Sequence, residues 1–402
     1  MAKPSHPLAL LGAALLATLA AGAAQAQNAD KVTIGFVTDM SSVYSDGDGK
    51  GGLAAIQMAI DEVGGKVLGK PIQLLSADHQ NKADIAASRA REWFDTQNMQ
   101  MLVGGTNSSA GLAMGKIADE KKRVYMITGS GTSAFTNELC SPYFIHYTYD
   151  TVAHAKASGK AITEAGGKDW FFLTADYAFG HALEADTSKV VKAQGGRVLG
   201  SVRHPLNASD FSSFLLQAQN SKAKVLALAN AGGDTINAIK AAREFGIDKS
   251  MQITALLIFS SDIQTLGLKQ TQGLIYADNW HWERSPESKK FAEDFYAKTG
   301  KMPTSIQASD YSAVKNYLRI VQKLGTTDAD KVMAEFKSIE LNDMYGRGRV
   351  RPDGRYAHDM YLLQVKSPAE SKGKFDYFKV LKTLPGEEVF TTKEESRCKL
   401  WK

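Results

Sequence analysis

The sequence predicts an α/β protein of two lobes, each a mostly parallel sheet flanked by helices. Three observations carry this. Apolar strand-like runs alternate with amphipathic helical stretches almost throughout, the order that builds parallel sheets covered on both faces. The alternation comes in two separate sets of similar build. The chain of 402 residues is also too long for one ordinary core and suits two.

The first set opens with "VTIGFV" (32–37), followed by a helix from about Gly51 to Val63 with Ala55, Ile56, Ala59 and Ile60 on one face. "PIQLLSAD" (71–78) precedes the helical "ADIAASRAREWFDTQ" (83–97), "MLVGG" (101–105) precedes "SSAGLAMGKIADEKK" (108–122), and "VYMIT" (124–128) closes the set. An extended segment, "CSPYFIHYTYD" (140–150), reads as a crossover. The second set has "DWFFLTAD" (169–176), "RVLGSVR" (197–203), "AKVLALAN" (223–230) and "MQITALLI" (251–258). "GLIYADNWHW" (273–282) is a second crossover, with Trp280 and Trp282 on one face of an alternating strand. Three helices are expected between Pro286 and about Lys337, and "DMYGRGRVRPDGRY" (343–356) reads as a hairpin turning at "PDG".

The first 26 residues read as a secretion leader: Lys3 gives a positive start, "LALLGAALLATLAAGAA" an apolar run, and "AQA" (24–26) small residues for cleavage after Ala26. No later apolar run reaches the ~18 residues that a spanning helix needs. Removing the leader leaves 376 residues and lowers the formal charge from +5 to +4. With no dense Lys/Arg stripe, nucleic acid is not an expected partner.

In an exported chain the two cysteines, Cys140 and Cys398, are expected to form a disulfide, the alternative being two separately buried thiols. Their spacing fits no metal site, and no metal or cofactor is expected. "GDGKGG" (47–52) has dinucleotide-loop spacing, but it starts about ten residues after its strand, so that geometry fails. The chain has no G-x-S-x-G elbow, H-E-x-x-H or C-x-x-C. An enzyme is therefore not expected; an exported serine hydrolase using Ser108 or Ser130 remains a remote alternative.

Ligands of parallel α/β sheets sit beyond the carboxyl ends of the strands. Two loops there are rich in small residues. "MITGSGTSAFTN" (126–137) ends a buried strand in Gly-Ser-Gly-Thr-Ser, around Ser130, Gly131 and Thr132. "GGTNSSAG" (104–111) leads through Ser108 and Ser109 into a helix. Such loops serve as tight turns and caps, or their N–H groups and hydroxyls hold an anion. Two converging on one point favour the second use. Aromatic residues at strand ends and crossovers, Tyr44, Tyr177, Phe179, Phe259, Trp280 and Trp282, are placed to face a cleft.

At these residues the chain resembles the solute-binding proteins of ABC transporters of the branched-chain amino acid (Leu/Ile/Val) type. The cues, in family order, are "IGFVTDMSSVYSDGDGKGGLAAIQMAIDEVGG", "MLVGGTNSSAGLAMGKIADEKKRVYMITGSGTS" and "SIQASDYSAVKNYL". The resemblance implies the type I periplasmic binding protein fold, with two lobes joined by three hinge crossovers and closing on a ligand. It divides the chain into a leader (1–26), a first lobe (27–149 plus 279–345) and a second lobe (150–278 plus 346–402). It also implies a periplasmic, monomeric protein that passes its ligand to a membrane permease and the attached ATPase. A sensor subunit would have the same sequence.

The resemblance puts the carboxylate grip on Ser108 and Ser130-Gly131-Thr132, aromatic contacts on Tyr44 and Phe179, and a second-lobe contact near Asn230 and Ala231. The family's amino acid binders carry an acid after the second lobe's fourth strand to pair with the ligand's ammonium. Here "ALLIFSS" (255–261) has none before Asp262, and an unpaired buried ammonium is costly. The expected ligand is thus a carboxylate without an amine, such as an aromatic acid of the benzoate or cinnamate type, which "DYAFG" and "ANAGGDT" also resemble. A branched-chain amino acid or amide is the alternative, with Asp234 or Asp278 as a displaced partner for the ammonium.

Overall fold

The computed structural model describes residues 31–402, and the expected leader lies outside them. The first sheet contains β1 (Val32–Thr38), β2 (Lys66–Val67), β3 (Lys70–Asp78), β4 (Met99–Gly104), β5 (Val124–Ile127) and β6 (Phe144–His146), in the spatial order β2-β3-β1-β4-β5-β6. All its pairs are parallel except the β2–β3 hairpin. The second sheet is parallel throughout, ordered β10-β9-β7-β8, from β7 (Asp169–Ala175), β8 (Arg197–His204), β9 (Val225–Ala229) and β10 (Gln252–Ala255). β1, β4, β5, β7 and β9 are buried along almost their whole length, as strands covered by helices on both faces must be.

The three helices expected after Pro286 are Pro286–Thr299, Ser305–Leu324 and Ala329–Ser338. They return to the first lobe, whose core includes Phe291, Phe295, Tyr317 and Phe336. The longest begins in a capping box, where the Thr304 hydroxyl accepts from the Gln307 N–H while the Gln307 side chain accepts from the Thr304 N–H. It stops at Gly325, whose φ of 68° only glycine adopts freely. Its first turn leans the other way, with Ile306 packed in the second-lobe core.

The chain passes between the two cores three times, near 147–150, 277–280 and 356–360. The crossings lie side by side. Tyr147 packs at a tilt against Tyr356 and Tyr345, with centroids 4.8 and 5.5 Å apart. The Asn279 amide donates to the Tyr345 hydroxyl, and His358 Nε2 lies 3.1 Å from the Tyr147 carbonyl oxygen. Arg355, fully buried, donates to Asp150 Oδ2 at 3.1 Å, to the Thr148 carbonyl at 2.6 Å, and to the His146 carbonyl. The "PDG" turn works as expected between β13 (Arg347–Val350) and β14 (Tyr356–His358), after the short β11 (Ile275–Asp278) and β12 (Glu340–Asn342). Gly354 is required there, because a Cβ would lie 2.6 Å from the Phe144 carbonyl oxygen.

Three readings need correction. Val350 and Tyr356 pack in the first-lobe core and Ala357 and Met360 in the second, so the third crossing lies at 356–360 and not at 346. β10 ends at Ala255, and Leu256–Phe259 leaves the sheet as a loop. β11 ends at Asp278, so Trp280 and Trp282 do not share a strand face. Cys140 and Cys398 are disulfide-bonded, with Cα atoms 5.7 Å apart.

Candidate functional site

β4 and β5 end side by side. Past Gly104, Asn107 caps the helix Ser108–Glu120 by accepting from the Ala110 N–H at 3.0 Å. This sets Ser108 on the first turn, where helical N–H groups lack intrahelical acceptors. Past Ile127 the small-residue loop folds against it. The Ser130 hydroxyl donates to the Gly105 carbonyl and, at 3.2 Å, to the Asn107 carbonyl, stapling one loop to the other. His146 Nε2 donates to the Ser130 carbonyl at 2.7 Å. A hydroxyl committed to carbonyl oxygens has no base to take its proton, so Ser130 is not arranged as a nucleophile.

The second lobe meets these loops at the cleft. Tyr177 and Phe179 lie at the start of the helix Ala178–Ala193, following β7. The Tyr44 and Tyr177 hydroxyls, one from each lobe, are 2.5 Å apart. The Gly233 N–H donates to the Val43 carbonyl at 2.9 Å, and Gly232, at φ +58°, has no room for a Cβ against that same oxygen. The lobes are therefore in contact. Between them lies a small hollow of about 10 Å³, room for about one water molecule and far below the usual size of small-molecule sites.

Of the ten expected contact residues, Tyr44, Ser108, Gly131, Phe179 and Phe259 line this hollow. The other five do not. Ser130 is the staple just described. Thr132 Oγ1 caps the next turn at the Ala134 N–H, while the Thr132 N–H donates to Ser108 Oγ at 3.2 Å. Ser109 is half-buried on the helix, outside the lining. Asn230 is held by His204 Nε2 at 3.0 Å and by the Thr235 hydroxyl at 2.7 Å, leaving its neighbour Ala231 in the wall. Trp280 is 3 % exposed in the first-lobe core, its indole N–H on the Met344 carbonyl. Thr106, Gly129, Tyr149, Leu257 and Ile306 complete the wall together with Tyr177. Sequence reasoning placed Tyr177 at the cleft but passed over the other five, although Thr106 and Gly129 stand inside the two loops it singled out.

No lining residue carries a charge. Carboxyls lie behind the wall, and their acceptor capacity is engaged by the backbone. Asp234 accepts from the Asn207 and Ala208 N–H groups, Asp262 from Phe259 and Asp278 from Asn279, all within 3.0 Å. Burial pushes Asp234 up to about 6 and Asp262 and Asp278 up to about 7. Among the described residues no cluster of three or more metal-ligating acids, histidines or cysteines occurs.

The chain matches the family model for periplasmic binding proteins over residues 31–374. It is 60% identical to a periplasmic binding protein of Burkholderia mallei of known structure, with a TM-score of 0.92 over 93% of this chain and 100% of that one. A branched chain amino acid ABC transporter periplasmic ligand-binding protein of Burkholderia xenovorans is 40% identical, with a TM-score of 0.82 over 92% and 100%. A Leu/Ile/Val-binding protein homolog of Brucella melitensis is 25% identical over 356 residues, 85% of this chain and 90% of the relative.

Proposed function

The chain belongs to the periplasmic binding protein family, and from that premise we propose that its cleft captures a small carboxylate with an apolar body, an aromatic acid before an amino acid. It serves as the substrate-binding component of an ABC importer, closing on its ligand and presenting it to a membrane permease, and it works as a monomer without chemistry of its own.

One observation carries the ligand reading. The hollow joins hydroxyls and a helix N-terminus on one wall to aromatic rings on the other, with no charged side chain anywhere in its lining. Ser108 Oγ accepts from the Thr132 N–H and so keeps its own hydrogen for the cleft. A carboxylate gains from such donors and from the dipole of the Ser108–Glu120 helix. An ammonium finds no partner, since Asp234, Asp262 and Asp278 all stand outside the lining. The relative whose name refers to branched-chain amino acids, at 40% identity, keeps those ligands as the second reading.

The test is a thermal melt of the mature protein with benzoate, 4-hydroxybenzoate, 4-coumarate, leucine, valine and a short amide. A ligand at 100 times its Kd adds about 2.7 kcal/mol of stability. Aromatic acids are expected to raise the midpoint and leucine to leave it unchanged; a rise with leucine alone reverses the assignment. Ser108→Ala removes one charge-assisted hydrogen bond and is expected to weaken the responding ligand about ten- to a hundredfold in calorimetry.

A further inference from the structure

Beneath the cleft wall lie two fully buried carboxyls that the binding reading leaves unused. Asp48 ends the first loop, and Asp310 lies on the helix Ser305–Leu324; both are 0% exposed. They face each other across Gly52, where a Cβ would lie 2.0 Å from Asp48 Oδ1 and 2.6 Å from Asp310 Oδ2. Asp48 Oδ1, both Asp310 oxygens and the nearby Thr128 hydroxyl are buried and, among the described residues, find hydrogen-bonding partners only among themselves. Two facing carboxyls cannot both be ionised in so dry a place, so Asp310 keeps its proton and gives it to Asp48 Oδ1.

The other Asp48 oxygen leads to the ligand. The Thr38 hydroxyl lies 2.5 Å from Asp48 Oδ2 and 2.7 Å from Thr106 Oγ1, and Thr106 lines the cleft. Thr106 Oγ1 also accepts from the Asp39 N–H at 3.1 Å. Each hydroxyl has one hydrogen, so the chain can run in only two ways. With Asp48 ionised, Thr38 must donate to it, Thr106 must donate to Thr38, and Thr106 offers the cleft only a lone pair. With Asp48 protonated on Oδ2 the order reverses. The acid donates to Thr38, Thr38 donates to Thr106, and the Thr106 hydrogen is free for the ligand.

We infer that Thr38 and Thr106 form a switchable hydroxyl relay, through which buried Asp48 decides whether Thr106 gives or takes a hydrogen bond at the ligand. The inference rests on the cleft being a carboxylate site, because an anionic oxygen accepts hydrogen bonds and is repelled by a lone pair. Ligand binding and protonation of Asp48 then support each other. The groups that face Asp48 are Thr38 from β1, Asp39 from its own loop, Asp310 from the helix and, further off, Tyr149 from the first crossing. Burial above all opposes ionisation of Asp48, the hydrogen bonds from Asp310 and Thr38 favour it, and the Asp39 charge adds a smaller opposition; the balance holds Asp48 raised to about 6, and Asp310 is raised well above the usual range. The sign follows: affinity is greatest when Asp48 carries its proton, in mild acid, and falls as pH rises through its titration.

The experiment measures the Kd of the carboxylate that gave the largest melt shift, from about pH 5 to about pH 8, where the ligand stays ionised. Calorimetry in two buffers of different ionisation heat reports proton uptake on binding. The wild type is expected to lose about tenfold in affinity across the range and to take up part of a proton near pH 6. Asp48→Asn fixes a donor toward Thr38, and Thr38→Val frees the Thr106 hydrogen; both should bind equally well at all pH values without proton uptake. Thr38→Ser should restore the dependence. A wild-type affinity that ignores pH, or a slope that survives in both variants, overturns the relay and leaves the carboxylate reading standing. An affinity that follows added calcium or sodium instead assigns the pair to a metal ion and overturns it too. If no carboxylate binds at any pH, the functional reading falls. The relay is then judged by infrared titration of the free protein, and overturned if no carboxyl band that Asp48→Asn removes appears on acidification.

Discussion

Arg355→Met is expected to lower the unfolding free energy by about 3–5 kcal/mol, the cost of leaving a buried carboxylate without its partner. Arg355 and Asp150 are both inaccessible to solvent, so Asp150 cannot turn to water when the guanidinium is gone. The same side chain also satisfies the His146 and Thr148 carbonyls and lies 4.4 Å above the Phe390 ring. It therefore binds the first crossing to the third. Urea unfolding measures the effect, with near-ultraviolet circular dichroism as a check that the native packing is kept. A loss under about 1 kcal/mol, the scale of an exposed pair, would mean that the hinge does not lean on this contact. Adding Asp150→Leu to Arg355→Met should recover part of the loss, because an apolar pair leaves no charge stranded.

Gly131→Val is expected to weaken ligand binding about ten- to a hundredfold while leaving the fold of each lobe intact. Gly131 does not have a positive φ, so its backbone tolerates a side chain. The cleft does not. An added Cβ would lie 2.7 Å from Phe179 Cε2 and 3.2 Å from Tyr149 Cε2, and two further methyls would hold the Phe179 ring off the carboxylate loop. Calorimetric titration of the ligand, set beside a melt of the free protein, separates the effects. Unchanged affinity would show that the liganded protein does not bring Phe179 against Gly131.

The frame was legible because its cause is local. The central strands of both sheets are near-continuous apolar runs, and the helices carry their apolar faces and several of their caps in the sequence. Of the small-residue loops after β4 and β5, Thr106, Ser108, Gly129 and Gly131 line the hollow. What failed was side-chain direction. Ser130 and Ser108 look alike in sequence, yet one reaches back to carbonyls of residues 105 and 107 and the other points into the hollow. Asn230 was drawn inward by His204, 26 residues away. Trp280 was assigned by an alternation that stops at Asp278, and the buried Met344 carbonyl that receives its N–H lies on a distant segment. Tyr149, Leu257 and Ile306 enter the wall from a crossing, a loop and the first turn of a helix, whose approach is a tertiary event, so no spacing announced them.

The tail around Cys398 gives the molecule a mechanical asymmetry. Phe390 is anchored in the second core, Lys156 holds Glu395 at 2.6 Å, and the disulfide together with the Arg397–Glu138 ion pair fixes the end of the same segment to the loop at 137–140. A load that pulls the lobes apart meets a covalent strap along this edge. At the Tyr44–Tyr177 edge it meets only hydrogen bonds and ring contacts. The lobes must therefore part there first, and a modest rotation about the strapped edge becomes a wide gape at the mouth through which the ligand leaves.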